Sequence, residues 1–349
     1  MLGRVGIGGD SPVSVQTMCN TDTRDAVATA DQIRRCMDLG CDIVRLAVPD
    51  MEAAKALTEI RRRTDGVPLV ADIHFDWRLA LAAIEAGIDG LRINPGNIGD
   101  TAKVREVVSA ANSRRIPIRV GVNGGSLEKG ILAKYGSATP EALVESALGH
   151  VRILEDEGCE AIKISVKASD VPRTLAAYRL LSTKTDWPLH VGVTEAGTFL
   201  AGTVRSCVAM GQLLSEGIGD TIRVSLTDVP EQEVRVGVEL LRALGLRAPG
   251  PHVTSCPTCG RTRVDVIGVA RKVEDALEAH YRAHPDAPRP HVAVMGCVVN
   301  GPGEAREADV AIAGGEGVFA LYVKGEFVRR IPEAYAVREL VGIVSEWKD

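Results

Sequence analysis

Short apolar segments alternate with amphipathic segments along the first two thirds of the chain. The apolar segments have the length and the Val, Ile and Leu content of buried strands, and the segments between them repeat apolar residues at helical spacing. Several helical segments end in a turn that contains Gly, the favoured left-handed residue after a helix. The predicted strands are Pro12–Met18, Asp42–Val48, Pro68–Phe75, Gly90–Asn94, Pro117–Val122, Ala161–Val166, Pro188–Thr194 and Thr221–Leu226.

The number of strand–helix units predicts the fold of this region. Eight units in roughly 240 residues match a (β/α)8 TIM-type barrel. An open, doubly wound sheet is the alternative, but no GxGxxG motif follows the first strand. The sequence therefore predicts an α/β protein whose first domain, residues 1–248, is a TIM-type barrel.

The pattern changes after Pro249-Gly250-Pro251, where a Cys-containing turn, TSCPTCGRT, interrupts the alternation. Residues 249–349 are predicted to form a separate small α+β domain, which is within the usual size range of domains. Its predicted elements are a strand Val264–Val269, a helix Ala270–Ala283, a strand His291–Met295, a tight loop Asn300–Gly303, a hairpin Val318–Val328 and a final helix Glu333–Trp347.

Composition excludes several classes of protein. The chain is 45% hydrophobic and carries a net charge of −5, so neither disorder nor a basic nucleic-acid surface is indicated. No apolar run approaches the ~18 residues of a membrane span, and the first residues lack a signal-peptide layout. We therefore expect a cytoplasmic protein whose eight cysteines are mostly reduced, which makes metal or redox chemistry the interpretation to test.

Several predicted strands place basic residues on one face. On the sixth strand Lys163, Ser165 and Lys167 share a face, because strand side chains alternate with a period of two. The apolar face must pack under the outer helices, so the polar face points into the barrel and toward its C-terminal mouth. The basic residues predicted to lie at this mouth are Arg45, Arg92, Arg119, Lys163, Lys167 and Arg223.

This set of cations predicts an anionic ligand. Branched aliphatic residues normally fill a barrel interior, and each unpaired charge buried there destabilises the fold by several kcal/mol. A phosphate or diphosphate would satisfy them. The alternative is that some are surface or ion-paired residues. Acid–base and hydrogen-bonding capacity at the same end is predicted from Asp72, His74, Asn123, His190 and Glu195, each of which could instead only orient an Arg or Lys.

The cysteines predict a metal centre in the second domain. Cys256-Pro-Thr-Cys259 places two thiolates within reach of one centre, and Cys297 follows a predicted strand. A lone CxxC is compatible with half a zinc ribbon, a redox disulfide or a pair of cluster ligands. A fourth ligand could be a nitrogen from His252, His280, His284 or His291, or an oxygen from Glu304. The remaining cysteines, Cys19, Cys36, Cys41, Cys159 and Cys207, are interpreted as small buried hydrophobes.

A family resemblance narrows these alternatives. The motifs CPTCGRT and MGCVVNGPGEA, together with VQTMCNTDT, ADIHFD, LRINPGNIG, VGVNGGSLEK, KISVKAS and HVGVTEAG, span almost the whole chain. They resemble the bacterial 4-hydroxy-3-methylbut-2-enyl diphosphate synthases, the GcpE family of the non-mevalonate isoprenoid pathway. The chain lacks the large insert domain of the plant-type members.

The resemblance implies a reaction and a cofactor. Reductive opening of 2-C-methyl-D-erythritol 2,4-cyclodiphosphate, with two electrons and two protons, gives 4-hydroxy-3-methylbut-2-enyl diphosphate and water. A [4Fe–4S] cluster is implied, with Cys256, Cys259, Cys297 and the more exchangeable carboxylate of Glu304 as ligands. Reduced flavodoxin or ferredoxin supplies the electrons. The enzymes of the family are homodimers in which the cluster domain of one subunit caps the barrel of the other.

The resemblance also assigns barrel residues. Arg45, Arg92, Arg119 and Lys167 match positions that clamp the diphosphate, and Asn123 and Glu195 match positions near the reacting carbons. The strand pattern alone adds Asp72, His74, Asn94, Lys163 and Arg223 to the predicted substrate-binding set. Two competing hypotheses are a zinc-stabilised barrel without redox function, such as a pterin- or phosphate-binding transferase, and a non-catalytic binding module with a structural metal.

Overall fold

The computed structural model of the protein describes residues 1–297 and 301–348. The chain divides into two units, Met1–Arg247 and Ala248–Asp349, each with its own sheet and hydrophobic core. None of the helices within the described residues is long and apolar enough to cross a membrane.

Eight parallel strands form the sheet of the first unit, in the order β6-β5-β4-β3-β2-β1-β8-β7. A parallel bridge between Ile164 and Leu189 joins the two ends of this order, so the sheet closes. The predicted TIM-type barrel is confirmed, and the open sheet is excluded. The strands are β1 Ser14–Met18, β2 Ile43–Ala47, β3 Leu69–Asp72, β4 Gly90–Ile93, β5 Ile118–Asn123, β6 Ile162–Lys167, β7 His190–Val191 and β8 Thr221–Ile222.

Helices surround this barrel, and Asp residues begin five of them. The side chains of Asp25, Asp50, Asp76, Asp100 and Asp170 each accept a hydrogen bond from a backbone N–H of the first helical turn. This satisfies donors that have no partner within a helix. The helices are α1 Ala26–Asp38, α2 Met51–Arg63, α3 Trp77–Glu85, α4 Pro95–Ile98, α5 Thr101–Ser113, α6 Lys129–Tyr135, α7 Pro140–Asp156, α8 Val171–Ser182, α9 Phe199–Ser215 and α10 Pro230–Ala243, with a 3-10 turn at Gly124–Ser126.

The strands β7 and β8 are shorter than predicted, at two residues each. The backbones of the two segments approach closely beyond them, because a Cβ at Gly192 would lie 2.4 Å from the carbonyl oxygen of Arg223. Only Gly fits there, and the regular ladder ends at this point. The alternation rule therefore holds for only the first residues of these two segments.

A mixed sheet forms the second unit, in the order β13-β12-β11-β10-β9. Strands β9, β10 and β11 are parallel to one another, whereas β12 and β13 form the predicted hairpin. Within the described residues the elements are β9 Val253–Ser255, α11 Val266–Ala283, β10 Val292–Met295, α12 Gly301–Glu307, β11 Val310–Gly314, β12 Val318–Val323, β13 Glu326–Pro332, a 3-10 turn Glu333–Tyr335 and α13 Ala336–Ser345.

One local prediction in this unit is wrong, and a second is wrong in the part that the structure describes. The segment Val264–Val269 is not a strand, because Asp265 accepts a hydrogen bond from Gly268 N at 2.9 Å and begins helix α11. Apolar residues at helical spacing outweigh the strand preference of the valines. The predicted tight loop Asn300–Gly303 lies partly outside the described residues, and its described part, from Gly301, is the first turn of helix α12.

Candidate active site

The barrel interior contains cations in adjacent register. Arg92 on β4 pairs with Arg119 on β5, and Arg119 pairs with Lys163 on β6. Lys167 pairs with Asn123 two layers higher, beyond the pair of Gly121 and Ser165. The four cations are only 4–6% exposed, so the interpretation as surface residues does not apply to them.

Asp72 on β3 is the acidic partner of this layer. Its carboxylate lies 3.1 Å from Arg92 Nη1 and 3.6 Å from Arg45 Nε. Burial alone would raise the pKa of Asp72, but the charges of Arg45, Arg92 and Arg119 outweigh burial and lower it. Asp72 is therefore ionised at neutral pH and orients two of the arginines.

The other cations are less well compensated. Arg119 Nη1 donates to Ser165 Oγ at 2.5 Å, but Arg119 Nε and Nη2 have no hydrogen-bond partner among the described residues. Lys163 Nζ donates to Thr221 Oγ1 at 3.3 Å. Burial, reinforced by the charge of Arg119, lowers the pKa of Lys163 to about 7 and lowers that of Lys167 well below its ordinary value. Burial also lowers the pKa of Arg45 to about 10.

Buried polar groups without partners accompany these charges. Neither ring nitrogen of His190 and neither amide atom of Gln16 has a hydrogen-bond partner in the described barrel. Burial, followed by the charge of Lys167, lowers the pKa of His190 well below its ordinary value, so its ring is neutral. Such groups destabilise a folded chain unless a ligand or water satisfies them.

Asp72 and His190 belong to the buried interior, whereas His74, Asn94, Asn123 and Glu195 lie at or just after the carboxyl ends of their strands. His74 is 56% exposed and lies 3.2 Å from Arg92 Nη1, while Asn94 Oδ1 accepts a hydrogen bond from Gly121 N at 3.1 Å. Asn123 is the last residue of β5. Glu195 is exposed and has a φ of +52°, a left-handed conformation that is uncommon for Glu and that is found preferentially at functional sites.

Sequence reasoning missed one acidic residue at this end of the barrel. Glu233 in the first turn of α10 is 5% exposed and lies 3.3 Å from Arg223 Nη2. Its charge acts on Arg45 and Lys167 as well. The available signal was a Glu on the apolar face of an amphipathic helix, next to Val234.

The cysteines of the second unit lie near the carboxyl ends of adjacent parallel strands. Cys256 follows β9, and its N–H donates to Val294 O of β10 at 3.0 Å. Cys297 comes two residues after β10, and Arg263 N, beyond the CxxC motif, donates to the adjacent Gly296 O at 3.4 Å. The CxxC segment therefore lies along the end of β10.

The CxxC turn contains a residue in a strained backbone conformation. Thr258 has a φ of +65°, an outlier for a β-branched residue, and Cys259 beside it is exposed. The thiol of Cys256 packs against the small alanine cluster that includes Ala305 of α12, the helix that carries exposed Glu304.

We tested whether these residues suit a cluster. In the described residues no group of three or more His, Cys, Asp or Glu side chains is arranged to hold a metal ion. The donor types nevertheless suit a cluster, because Cys256 and Cys297 follow the carboxyl ends of the adjacent strands β9 and β10, Cys259 lies in the turn after β9, and Glu304 is on helix α12, which packs against β10. All eight cysteines are thiols, and burial raises the pKa of Cys36 to about 12, as expected for an inert core residue.

The histidines proposed as alternative ligands lie elsewhere in the unit. His252 and His291 stack with ring centroids 4.2 Å apart at the amino ends of β9 and β10, whereas the cysteines follow the carboxyl ends. His280 and His284 lie at the end of α11, an 18-residue helix that begins near the cysteines. The geometry thus disfavours a Cys3His zinc site.

Together, the closed parallel barrel, its cationic interior and the separate CxxC-bearing unit define a TIM-barrel enzyme with a second domain. The description "GcpE TIM-barrel domain" matches residues 1–238, and "GcpE protein C-terminal domain" matches residues 252–346. The chain belongs to the GcpE family, which confirms the resemblance inferred from its motifs.

Curated relatives cover nearly the whole chain. A protein of Geobacter sulfurreducens is 61% identical over 99% of this chain and 96% of its own length. Relatives from Maridesulfovibrio salexigens (61% identical over 95% of this chain and 90% of its own length) and Desulfotalea psychrophila (56% over 100% and 94%) carry the same name, 4-hydroxy-3-methylbut-2-en-1-yl diphosphate synthase (flavodoxin). Among solved structures, a dihydropteroate synthase from Coxiella burnetii covers 67% of this chain and 94% of its own, with 13% identity and a TM-score of 0.48, which supports no inference about activity.

Proposed function

We propose that the protein reduces 2-C-methyl-D-erythritol 2,4-cyclodiphosphate to 4-hydroxy-3-methylbut-2-enyl diphosphate and water. The observation that carries the proposal is membership of the GcpE family, with 61% identity over 99% of the chain to a relative named for this product. The buried cations of the barrel support it independently. They need an anion with several charges, and a cyclic diphosphate supplies one.

Each barrel residue has a proposed role in binding or proton transfer. Arg45, Arg92, Arg119 and Lys167 bind the diphosphate, and Lys163 and Arg223 extend this clamp. Asp72 orients Arg92 and Arg45 and keeps their charge partly compensated before the substrate arrives.

The rim residues are proposed to act near the reacting carbons. Glu195 holds or donates a proton there, Asn123 positions the carbon skeleton, and His74 and Asn94 complete the edge of the substrate site. The reaction consumes two electrons and two protons, so an exposed carboxylate at the mouth suits the proton supply.

We propose that Cys256, Cys259, Cys297 and Glu304 hold a [4Fe–4S] cluster. When bound, the cluster supplies electrons to the substrate one at a time. Reduced flavodoxin is the proposed donor, because the relatives are named for it, and ferredoxin is the alternative. The cytoplasmic location stays a prediction.

Anaerobic turnover tests the proposal. The full chain, purified without oxygen, is expected to be brown, to contain iron and sulfide, and to convert the cyclodiphosphate when reduced flavodoxin is added. Colourless protein with one tightly bound zinc and no turnover would contradict it. That result would favour the zinc-stabilised transferase or the binding module instead.

A single variant tests the carboxylate ligand. Glu304→Ala is expected to lose turnover while the cluster is retained or becomes labile. Glu307→Ala, an exposed carboxylate on the same helix, is the matched control and should keep full turnover. Full activity in Glu304→Ala would refute the ligand assignment.

We further propose a homodimer whose active site combines the barrel of one subunit with the cluster domain of the other. Lys167→Met inactivates only the barrel, and Cys297→Ser inactivates only the cluster domain. Mixed dimers of the two variants would then contain one intact site, so mixing should restore turnover. If each site lies within one chain, the mixture stays inactive.

A further inference from the structure

Glu233 connects three separate segments at the carboxyl end of the barrel. Its Oε2 accepts a hydrogen bond from Thr17 Oγ1 on β1 at 2.8 Å. Its Oε1 accepts one from Leu226 N, in the segment after β8, at 3.0 Å. Arg223 Nη2 lies 3.3 Å from Oε1 and 3.4 Å from Oε2. Both oxygens are therefore used, which is what a buried carboxylate requires.

A carboxylate at this position destabilises the fold more than a neutral side chain would, which is unexpected for a residue with only a structural role. Helix α10 buries Val234, Gly237, Val238 and Leu241 on the face that also carries Glu233. A charge on such a face destabilises the fold unless a cation balances it. The first turn of a helix favours an acidic side chain, but a neutral amide could also bond to both neighbours, with its oxygen accepting from Leu226 N and its NH2 donating to Thr17 Oγ1.

The cation that balances Glu233 is Arg223. The charge of Arg223 lowers the pKa of both Arg45 and Lys167, so Arg223 stands among like charges that repel it. Its Nε is buried and has no hydrogen-bond partner among the described residues. For the guanidinium of Arg223, Glu233 is the ion-pair partner that the described barrel provides.

We infer that Glu233 is a positioning residue that fixes the guanidinium of Arg223 and leaves its remaining N–H groups directed to an anionic substrate. This inference rests on the proposed function, because it assigns the diphosphate as the anion. Glu233 itself does not touch the substrate in this arrangement, and it acts through Arg223.

Binding measurements separate positioning from simple charge balance, since the two predict opposite signs. Removing a negative charge from an anion site should strengthen anion binding by electrostatics alone. Losing the fixed geometry of Arg223 should weaken it. Glu233→Gln keeps the size of the side chain and one acceptor oxygen for Leu226 N, and its NH2 can donate to Thr17 Oγ1, but it loses the charge, so the sign of the change in affinity identifies the role.

The experiment is calorimetric titration of the full chain with 2-C-methyl-D-erythritol 2,4-cyclodiphosphate in the absence of reductant. We expect Glu233→Gln to bind about tenfold more weakly, the size of one charge-assisted hydrogen bond. Glu231→Gln, the same change on the same helix at a residue paired with Arg35, is the control and should bind like the wild type. Unchanged or tighter binding by Glu233→Gln would overturn the inference.

A double-mutant cycle tests whether Glu233 acts through Arg223. In an Arg223→Gln background, Glu233→Gln should cause no further loss of affinity. Additive losses would mean that Glu233 acts by another route, for example through Thr17, and would also overturn the inference.

A ligand-free measurement keeps this test separate from the proposed function. The Nε–H nuclear magnetic resonance signal of Arg223, assigned by its absence in Arg223→Lys, should show the relaxation of a rigid side chain in the wild type, because Glu233 holds Nη2 of the same planar guanidinium. Relaxation typical of a freely moving side chain in the folded wild type would refute the positioning role even if Glu233→Gln does not fold. A wild-type chain that does not bind the cyclodiphosphate would refute the proposed function, while this signal would still decide the role of Glu233.

Discussion

The interior of the barrel and the cysteine end of the second sheet are built by different means. In the barrel, Arg92, Arg119 and Lys163 occupy paired positions on neighbouring strands, so the backbone ladder fixes their spacing. In the second unit, Cys256 and Cys297 follow strand ends and Glu304 lies on a short helix. No three-ligand group is assembled there in the described part of the chain.

The difference shows two ways of preparing a site. The rigid strand ladder preorganises the barrel and holds several buried cations close to one another, which is unfavourable. An anionic ligand compensates these charges when it binds. Ligands on turns and a helix need the cofactor to gather them, and cofactor binding then contributes to folding of that region. The barrel should therefore gain stability when its buried cations are removed, whereas the second unit should lose its cofactor when a ligand is removed.

Removal of a cluster ligand should have the largest effect. Cys297→Ser is expected to abolish turnover and to reduce the iron and sulfide content of anaerobic protein to near zero, because a serine oxygen replaces a thiolate ligand poorly. Cys207→Ser, a half-buried thiol on α9, is the control and should keep both. Full iron content in Cys297→Ser would show that this thiol is not a ligand.

Lys167→Met should change stability and function in opposite directions. We expect the affinity for the cyclodiphosphate to fall, while the free energy of unfolding without ligand rises by about 1–4 kcal/mol, because a buried cation is replaced by an apolar side chain of similar volume. Denaturant unfolding and calorimetry measure the two quantities. Lys103→Met is the control, because the Lys103 side chain is 41% exposed and pairs with Asp100, and it should change neither the affinity nor the stability. If Lys167→Met is less stable than the wild type, the buried cations do not destabilise the ligand-free barrel.

The affinity for the cyclodiphosphate should depend on pH. Lys163 has a pKa of about 7 in the ligand-free fold against an ordinary 10.5, so a bound anion raises this pKa and binding takes up protons near neutrality. Affinity should fall by up to about tenfold per pH unit above pH 7. The free energy of unfolding of the ligand-free chain should instead rise with pH from about pH 7 to 10.5. Over this range Lys163 is protonated in the unfolded chain but neutral in the fold, so the cost of burying its charge is lost.

Titrations in buffers of different ionisation enthalpy measure this proton uptake. The substrate does not complicate the result, because each phosphorus of the cyclic diphosphate carries one ester and the shared anhydride oxygen, and its single remaining acidic group is ionised throughout this range. Lys163→Met should remove the step in affinity near pH 7. A step that persists in this variant would assign the pH dependence to another group.

Glu195→Gly should have the smallest effect on stability. It is expected to raise the free energy of unfolding by about 1 kcal/mol, because Glu195 has a φ of +52° and Gly takes this conformation without strain. Arg115→Gly is the matched control, since exposed Arg115 has a φ of +56° outside the site. Both variants should be stabilised, but only Glu195→Gly should lose turnover, and equal activity would argue against a role for Glu195 in catalysis.

The strand pattern predicted the barrel and the inward direction of Arg92, Arg119, Lys163 and Lys167 because alternation along a strand is a local property. The same reasoning overestimated β7 and β8, whose ladder ends where Gly192 admits the backbone of Arg223. Such a close approach involves two distant segments, and no local pattern reports it.

By itself, the sequence determined the eight strand–helix units, the family and the identities of the cationic and thiol residues, since these depend on local periodicity and on motifs. Only the tertiary structure decided which charges oppose one another. Glu233 lies 216 residues from Thr17 and ten from Arg223, yet it contacts both. Electrostatic compensation depends on distance in space, and closure of the barrel, rather than separation along the chain, sets that distance.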